Sequence, residues 1–312
     1  METALAATSA ATTALSGTQW TIEAAGQRAV VVEVGGGLRA YDAAGVQYLD
    51  GYADDEVCPG AAGQIIAPWP NRIRDGRYTF AGQEYQLALS EPARHNAIHG
   101  LTRWARWRGV AAVADSVTVE HDLVPQPGYP WPLLLRTTWS LGPDGLAAEH
   151  SATNLGDRPC PFGLAAHPYL RIPGVPLDEL QLRVPARSRL LVDGRMLPIG
   201  VARLSGGYDF APGKPIGAAV LDVAFADLER DEDGGSAVHL STVDGRGVAV
   251  WADAAFGWWQ VFTGDTLSPQ RRRRSVAIEP MTCPADAFRS ARDLIVIEPG
   301  QTWRARWGIR PY

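Results

Sequence analysis

Lysine is almost missing from this 312-residue chain: of its 29 basic residues only Lys214 is a lysine, and arginine carries the rest. A Schiff-base mechanism therefore has one candidate amine, in the loop Pro212-Gly213-Lys214-Pro215, where desolvating an ammonium group is hard; covalent amine chemistry is set aside. Cysteine is scarce too. Cys58, Cys160 and Cys283 form no CxxC pair, which argues against a disulfide framework and for a reducing compartment. A surplus of positive charge is also lacking: the formal net charge is −5, so a nucleic-acid surface is not expected, and the short run Arg271–Arg274 reads as a solvated loop. No apolar run is long enough to cross a membrane, and no membrane partner is expected. Neither a GxGxxG turn nor a phosphate-binding P-loop occurs, which removes nicotinamide-dependent epimerisation and nucleotide chemistry.

What the chain has in quantity is glycine and proline, 33 and 23 residues spread along its length. With them comes period-two alternation, so many short strands joined by turns are expected rather than long helices. A β-branched strand is read at Arg28–Val34. Hairpins are read at Tyr78–Leu89, turning at Ala81-Gly82, at Leu135–Ser151, turning at Gly142–Gly145, and around Asp244–Gly247. Near the C-terminus Trp303, Ala305, Trp307 and Ile309 share one face of a strand. Only Leu221–Arg230 offers a helical turn or two. The expectation is a disordered Ala/Thr/Ser-rich leader over residues 1–17, without the basic flank of a signal peptide, and one large all-β domain over residues 18–312. Such a chain is expected to be soluble and cytoplasmic, and a monomer or homodimer, since edge strands can be covered or paired.

Four segments concentrate chemistry. Asn71-Arg72 offers a donor–acceptor amide beside a planar fork of donors, suited to adjacent hydroxyls, or else a structural loop with a paired arginine. His95 and His99 have a spacing that on a helix would suit a metal; Pro92 and Gly100 bracket them and no third ligand is near, so no metal is expected and a polar site histidine is preferred. His167, read as part of a strand, shares its face with Ala165 and Gly163, small residues that would leave space above the ring. Glu279 ends the apolar strand Ser275–Glu279 with Ala277 on its own face, so partial burial should raise its pKa. Among eleven tryptophans, one or two could stack on a sugar ring.

In this order the segments resemble the aldose 1-epimerase (galactose mutarotase) family: Asn71-Arg72-Ile73 followed by Gly76, Tyr78, Gly82 and Tyr85; Ile98-His99-Gly100; His167-Pro168-Tyr169; Gln260–Gly264; and Ile278–Thr282. The resemblance runs from about Gly35 to the C-terminus. It implies a large twisted antiparallel β-sandwich with an open sugar cleft, and an isomerase that interconverts the α and β anomers of a free aldose without a cofactor. By the same resemblance Glu279 is the general base and His167 the general acid. Arg72 and His99 bind the sugar and stabilise its ring-opened form, while Asn71, Tyr169 and Gln260 line the cleft. The family's sugar-gripping aspartate falls on Asp222 rather than Asp209. A departure after Tyr169, where Leu170-Arg171 replaces the usual aromatic and Asn, makes Arg171 a candidate for altered sugar preference. An unperturbed Glu titrates near ~4.3 and His near ~6.5, and both are expected to shift upwards in such a site. The competing readings are a sugar-phosphate 1-epimerase, a non-catalytic sugar-binding sandwich, and a glycosidase, which would want paired carboxylates.

Overall fold

Along Leu133–Gly142 burial alternates residue by residue, and Gly145–Asn154 continues the alternation after a tight turn. Successive side chains of a strand point to opposite faces, so each such strand offers one apolar face to a core. The computed structural model, which describes residues 14–312, assembles these strands into an all-β antiparallel sandwich. One sheet has nine strands, in the spatial order Arg108–Ala112, Ser116–Leu123, Leu133–Gly142, Gly145–Asn154, Thr302–Pro311, Gly247–Ala252, Ser236–Ser241, Gln181–Arg183, Lys214–Pro215. A second, eight-stranded sheet runs Pro198–Arg203, Ala186–Val192, Asp222–Leu228, Trp258–Phe262, Val276–Met281, Ala165–Ala166, Ile65–Ile66, with Tyr169–Leu170 also paired to Val276–Met281, and smaller sheets flank these two.

A single hydrophobic cluster fills the space between the sheets. Trp139, Trp307 and Val250 come from one; Phe225, Trp259, Val261, Val276 and Ile278 come from the other. Trp139 and Trp307 meet edge to face at 5.7 Å. Burying a large apolar side chain contributes roughly 1.5–3 kcal/mol, so these residues set which face of each strand turns inward. Trp259 also donates its indole N–H to Ser236 Oγ at 3.2 Å, which satisfies a polar group that bridges the two sheets.

The expected hairpins are present: Arg77–Phe80 pairs with Gln83–Gln86, Leu133–Gly142 with Gly145–Asn154, and Ser236–Ser241 with Gly247–Ala252. The early strand is Gln27–Val32, and Ala305, Trp307 and Ile309 are buried together as read. One expectation is corrected. Leu221–Arg230 holds no helix; Asp222–Leu228 is a strand with Val223 and Phe225 in the main core and Ala224 and Ala226 in a smaller cluster on the other face, so its apolar run shows no clean period. Arg271–Arg274 is a loop with Arg272 and Arg274 exposed, as read, but three of its arginines are ion-paired rather than merely solvated. Arg271 pairs with Glu56 at 2.8 Å, Arg273 with Asp178 and Asp265 at 2.7 and 2.9 Å, and Arg274 with Asp50 at 2.6 Å, tying together segments distant in sequence. Of the expected leader, residues 1–13 lie outside the described residues. Leu15 N–H donates to Asp54 O, and Ser16 O accepts from Val34 N–H, so these two residues join the fold.

Candidate active site

The strand Val276–Met281 divides its side chains between two faces. Val276 and Ile278 enter the main core, whereas Ala277 and Met281 belong to two smaller clusters on the opposite face, with Glu279 between them. The same division holds next door: Trp259 and Val261 face the core, so Gln260 and Phe262 face away. Strand register then brings the polar groups together. Gln260 lies directly opposite Glu279, and Asp222 opposite Phe262. On the other side Ala165 pairs with Met281 and Tyr169 with Ala277, which leaves the interruption at His167-Pro168 opposite Glu279. His167 Nε2 is 3.2 Å from Glu279 Oε1. Tyr169 stacks on the His167 ring at 5.0 Å and donates its hydroxyl to Gly60 O at 3.1 Å.

Two loops complete a cavity of about 250 Å³ over this floor; Asn71, Arg72, Arg94, His99, Arg103, His167, Tyr169, Asp222, Gln260, Phe262 and Glu279 all line it. Glu91 fixes Arg72 through two hydrogen bonds, from Nε at 2.8 Å and Nη2 at 3.0 Å, while Nη1 donates to Asn71 Oδ1 at 3.2 Å. Gln260 Nε2 donates to Asp222 Oδ1 at 2.5 Å. The His99 ring stands edge-on to His167 at 5.7 Å. Asn71 and His99 both have left-handed backbones, φ 53° and 59°, a strain that concentrates at functional loops. The Nδ1 atoms of His99 and His167 are buried without a partner among the described residues, as in a site that keeps hydrogen bonds for a ligand. A larger hollow of about 630 Å³ is lined by Arg77, Tyr78, Glu84, Tyr85 and Arg289 and has no histidine in its lining among the described residues.

The electrostatics follow from burial. Glu279 is pushed well above the usual carboxylate range, by desolvation first and then by the charge of Asp222, with Arg72 opposing. Asp222 is also raised by burial, against Arg72. His167 moves the other way from the upward shift expected: burial, and then the guanidinium of Arg103, depress it to about 3. His99 is lowered well below its ordinary value by burial, Arg103, His167 and Arg72. Burial thus favours a neutral imidazole facing a carboxyl group that holds its proton.

Each site residue read from the sequence lines this cavity, and Asp222 rather than Asp209 does so. The reason given for one of them, His167, does not hold. A Cβ on Gly163 would meet Cys283 and Pro70, and Ala165 is packed in a buried cluster, so neither leaves space above His167. His95 is exposed and bound to Asp75 at 2.9 Å, away from His99. Arg171 is not in the cavity but beside Asp50 and Gln47, so it makes no contact that could change sugar preference. No tryptophan lines the cavity; its aromatic surfaces are Tyr169 and Phe262. Arg94 and Arg103 were missed, because nothing in their local sequence marks them.

The family model described as "Aldose 1-epimerase" matches residues 18–310. The Escherichia coli K12 protein named "Uncharacterized protein YihR" is 32% identical over 296 residues, covering 94% of this chain and 93% of that one. The galactose mutarotase of Rattus norvegicus is 27% identical over 184 residues, 55% of this chain and half of the rat protein. Among solved structures, a galactose mutarotase-like protein from Clostridium acetobutylicum superimposes with a TM-score of 0.82 at 17% identity, covering 94% of each chain. A galactose 1-epimerase from Lactobacillus acidophilus superimposes at 0.75 with 20% identity, again over 94% of each chain. At these identities the two structures speak for the fold.

Proposed function

The chain belongs to the aldose 1-epimerase family, and from that premise we propose that it interconverts the α and β anomers of an aldose by general acid–base catalysis at Glu279 and His167. The observation that carries this reading is the buried carboxyl–imidazole pair, 3.2 Å apart, at the floor of a cavity lined with hydrogen-bonding groups.

Mutarotation requires a proton to leave the anomeric hydroxyl while another reaches the ring oxygen O5. The C1–O5 bond then breaks, the aldehyde rotates about C1–C2, and O5 attacks its other face with the two proton transfers reversed. The pair needs one proton in total. Before the sugar binds, burial keeps that proton on Glu279; with a sugar bound it passes to His167, which leaves an ionised base facing O1–H and a protonated acid facing O5. Arg72, held by Glu91, and His99 stabilise the open form. Asn71, Asp222 and Gln260 hold the sugar hydroxyls, and Tyr169 lines the cleft beside His167. Each proton transfer contributes roughly 10²–10⁴ in rate.

The test is anomer exchange, followed by NMR, over a panel of neutral and anionic aldoses. Wild type is expected to accelerate exchange of at least one. Glu279→Gln should cut that rate by about 10²–10⁴ while a 1,5-anhydro analogue, which has no anomeric hydroxyl, still binds. Acceleration of none of the sugars would overturn the proposal, as would full activity in Glu279→Gln.

A further inference from the structure

Arg103 is the one arginine of the cavity lining without a carboxylate partner among the described residues; its guanidinium lies 5.5 Å from the centroid of the exposed Trp104 ring. Its Nε donates to Gln64 Oε1 at 3.1 Å, and Gln64 Nε2 donates back to Arg103 O at 2.6 Å, so a fully buried glutamine fixes the arginine at both ends. Its terminal nitrogens have no hydrogen-bond partner and no carboxylate among the described residues. The ionisable groups beside it, Cys58 and Tyr169, are both held neutral by burial. The other arginines at this end of the molecule are answered: Arg72 and Arg94 by Glu91, Arg271 by Glu56, Arg274 by Asp50. A partly buried, rigidly held guanidinium without a carboxylate, lining a ligand cavity, is suited to an oxyanion, whose charge-assisted hydrogen bonds are roughly twice as strong as those to a neutral hydroxyl. Arg94, also in the lining and about 40% exposed, adds positive charge.

The location fixes where the anion lies on the sugar. Arg103 is on the side of His167: Gly63 N–H donates to His167 O at 2.8 Å, and Gln64, the next residue, holds the Arg103 guanidinium, whereas Gln260 and, through it, Asp222 flank Glu279. His167 is the group assigned to O5, and the exocyclic substituent next to O5 is C6, on C5. We propose that the cavity takes a pyranose carrying an anionic oxyacid group at C6, and that Arg103 selects it. This rests on the mutarotase reading and names the substrate class for the same site. It also supplies what the acid needs. An oxyanion on Arg103 cancels the positive charge beside His167, so the substrate itself allows the proton to pass from Glu279 to His167.

Two measurements separate this proposal from the reading it rests on. In the first, 1,5-anhydroglucitol and its 6-phosphate are titrated into wild type, Arg103→Met and Arg103→Lys; neither ligand can react, so the result is independent of catalysis. Wild type is expected to bind the phosphorylated ligand about 10- to 100-fold more tightly, Arg103→Met to lose that ratio, and Arg103→Lys to keep part of it. In the second, kcat/KM for anomer exchange is compared for glucose, glucose 6-phosphate and glucuronate, the last two distinguishing a phosphate from a carboxylate at C6. The ratio of anionic to neutral substrate is read, so a general loss of folded protein cancels. Wild type handling neutral glucose as well as both anionic sugars overturns the proposal, and so does an unchanged ratio in Arg103→Met. A binding preference without exchange of any sugar leaves Arg103 as an anion selector and sinks the mutarotase reading instead.

Discussion

Glu279 and His167 resist charge for the same reason, loss of water, and their shifts in opposite directions define a broad interval in which the pair holds one proton. The lower edge lies near the His167 value of about 3, and the upper edge is the raised ionisation of Glu279. The apparent values belong to the pair, since both groups compete for that proton. With the active form singly protonated, kcat/KM should be level across this interval and fall on its alkaline side. Burial is the first cause of the Glu279 shift, and the charge of Asp222 is the second. Asp222→Asn removes the second cause, so the alkaline limb should move to lower pH. The plateau should also drop about tenfold through the loss of a hydrogen bond to the sugar. A pH profile of kcat/KM for wild type and variant checks this. A limb that stays in place would show that Glu279 is not the group titrating there.

At the scale of elements, the site depends on loops held against the sheet by close backbone contacts. Gly100, which follows His99, has φ 63°, and a Cβ there would lie 2.0 Å from Ala67 O, the acceptor of Leu101 N–H. Gly100→Ala should cost about 2–3 kcal/mol and displace His99, lowering activity more than tenfold. Gly82→Ala serves as the control: its φ is 78° but nothing lies within 4 Å, so only backbone strain is added, about 1 kcal/mol. Urea midpoints and exchange rates for the two variants decide the matter, and equal effects would refute the contact argument. The hairpins were legible in the sequence because turn residues and alternation are local signals. The strand Asp222–Leu228 was hidden because both its faces are covered. Arg72, His99, His167 and Glu279 were legible through short motifs, although the packing argued for His167 was wrong. Arg103 and the ion pairs of Arg271–Arg274 were not legible, because an arginine's role depends on partners such as Gln64 or Asp50, far along the chain.

For the molecule as a whole, buried histidines couple folding to pH. His150, in the middle of the nine-stranded sheet, accepts from the Trp307 indole at Nε2 and so carries its proton on Nδ1, facing Thr137 Oγ1, each contact at 2.8 Å. Both ring nitrogens are satisfied in the neutral form, and burial lowers its pKa to about 3. His99 and His167 are lowered by burial as well. A histidine lowered on folding contributes stability that is fully present above its unfolded value, ~6.5, and is lost as pH falls below it, because the unfolded chain takes up the proton first. Glu279 acts with the opposite sign: above its unfolded value the folded form holds a proton that the unfolded form releases, so it opposes His167. His150, with its value of about 3, then contributes a slope of roughly 1.4 kcal/mol per pH unit between about pH 6.5 and 4.5, and His99, His121 and His239 act in the same direction. His150→Gln keeps a donor and an acceptor and removes the titrating group. Its stability at neutral pH should be lower, but the fall with acid shallower by about 1.4 kcal/mol per pH unit. Urea unfolding at half-unit steps from pH 7 to 4.5 gives both slopes. Parallel curves would mean that His150 is already protonated in the folded sheet, and that the Trp307 indole does not hold its Nε2 as an acceptor.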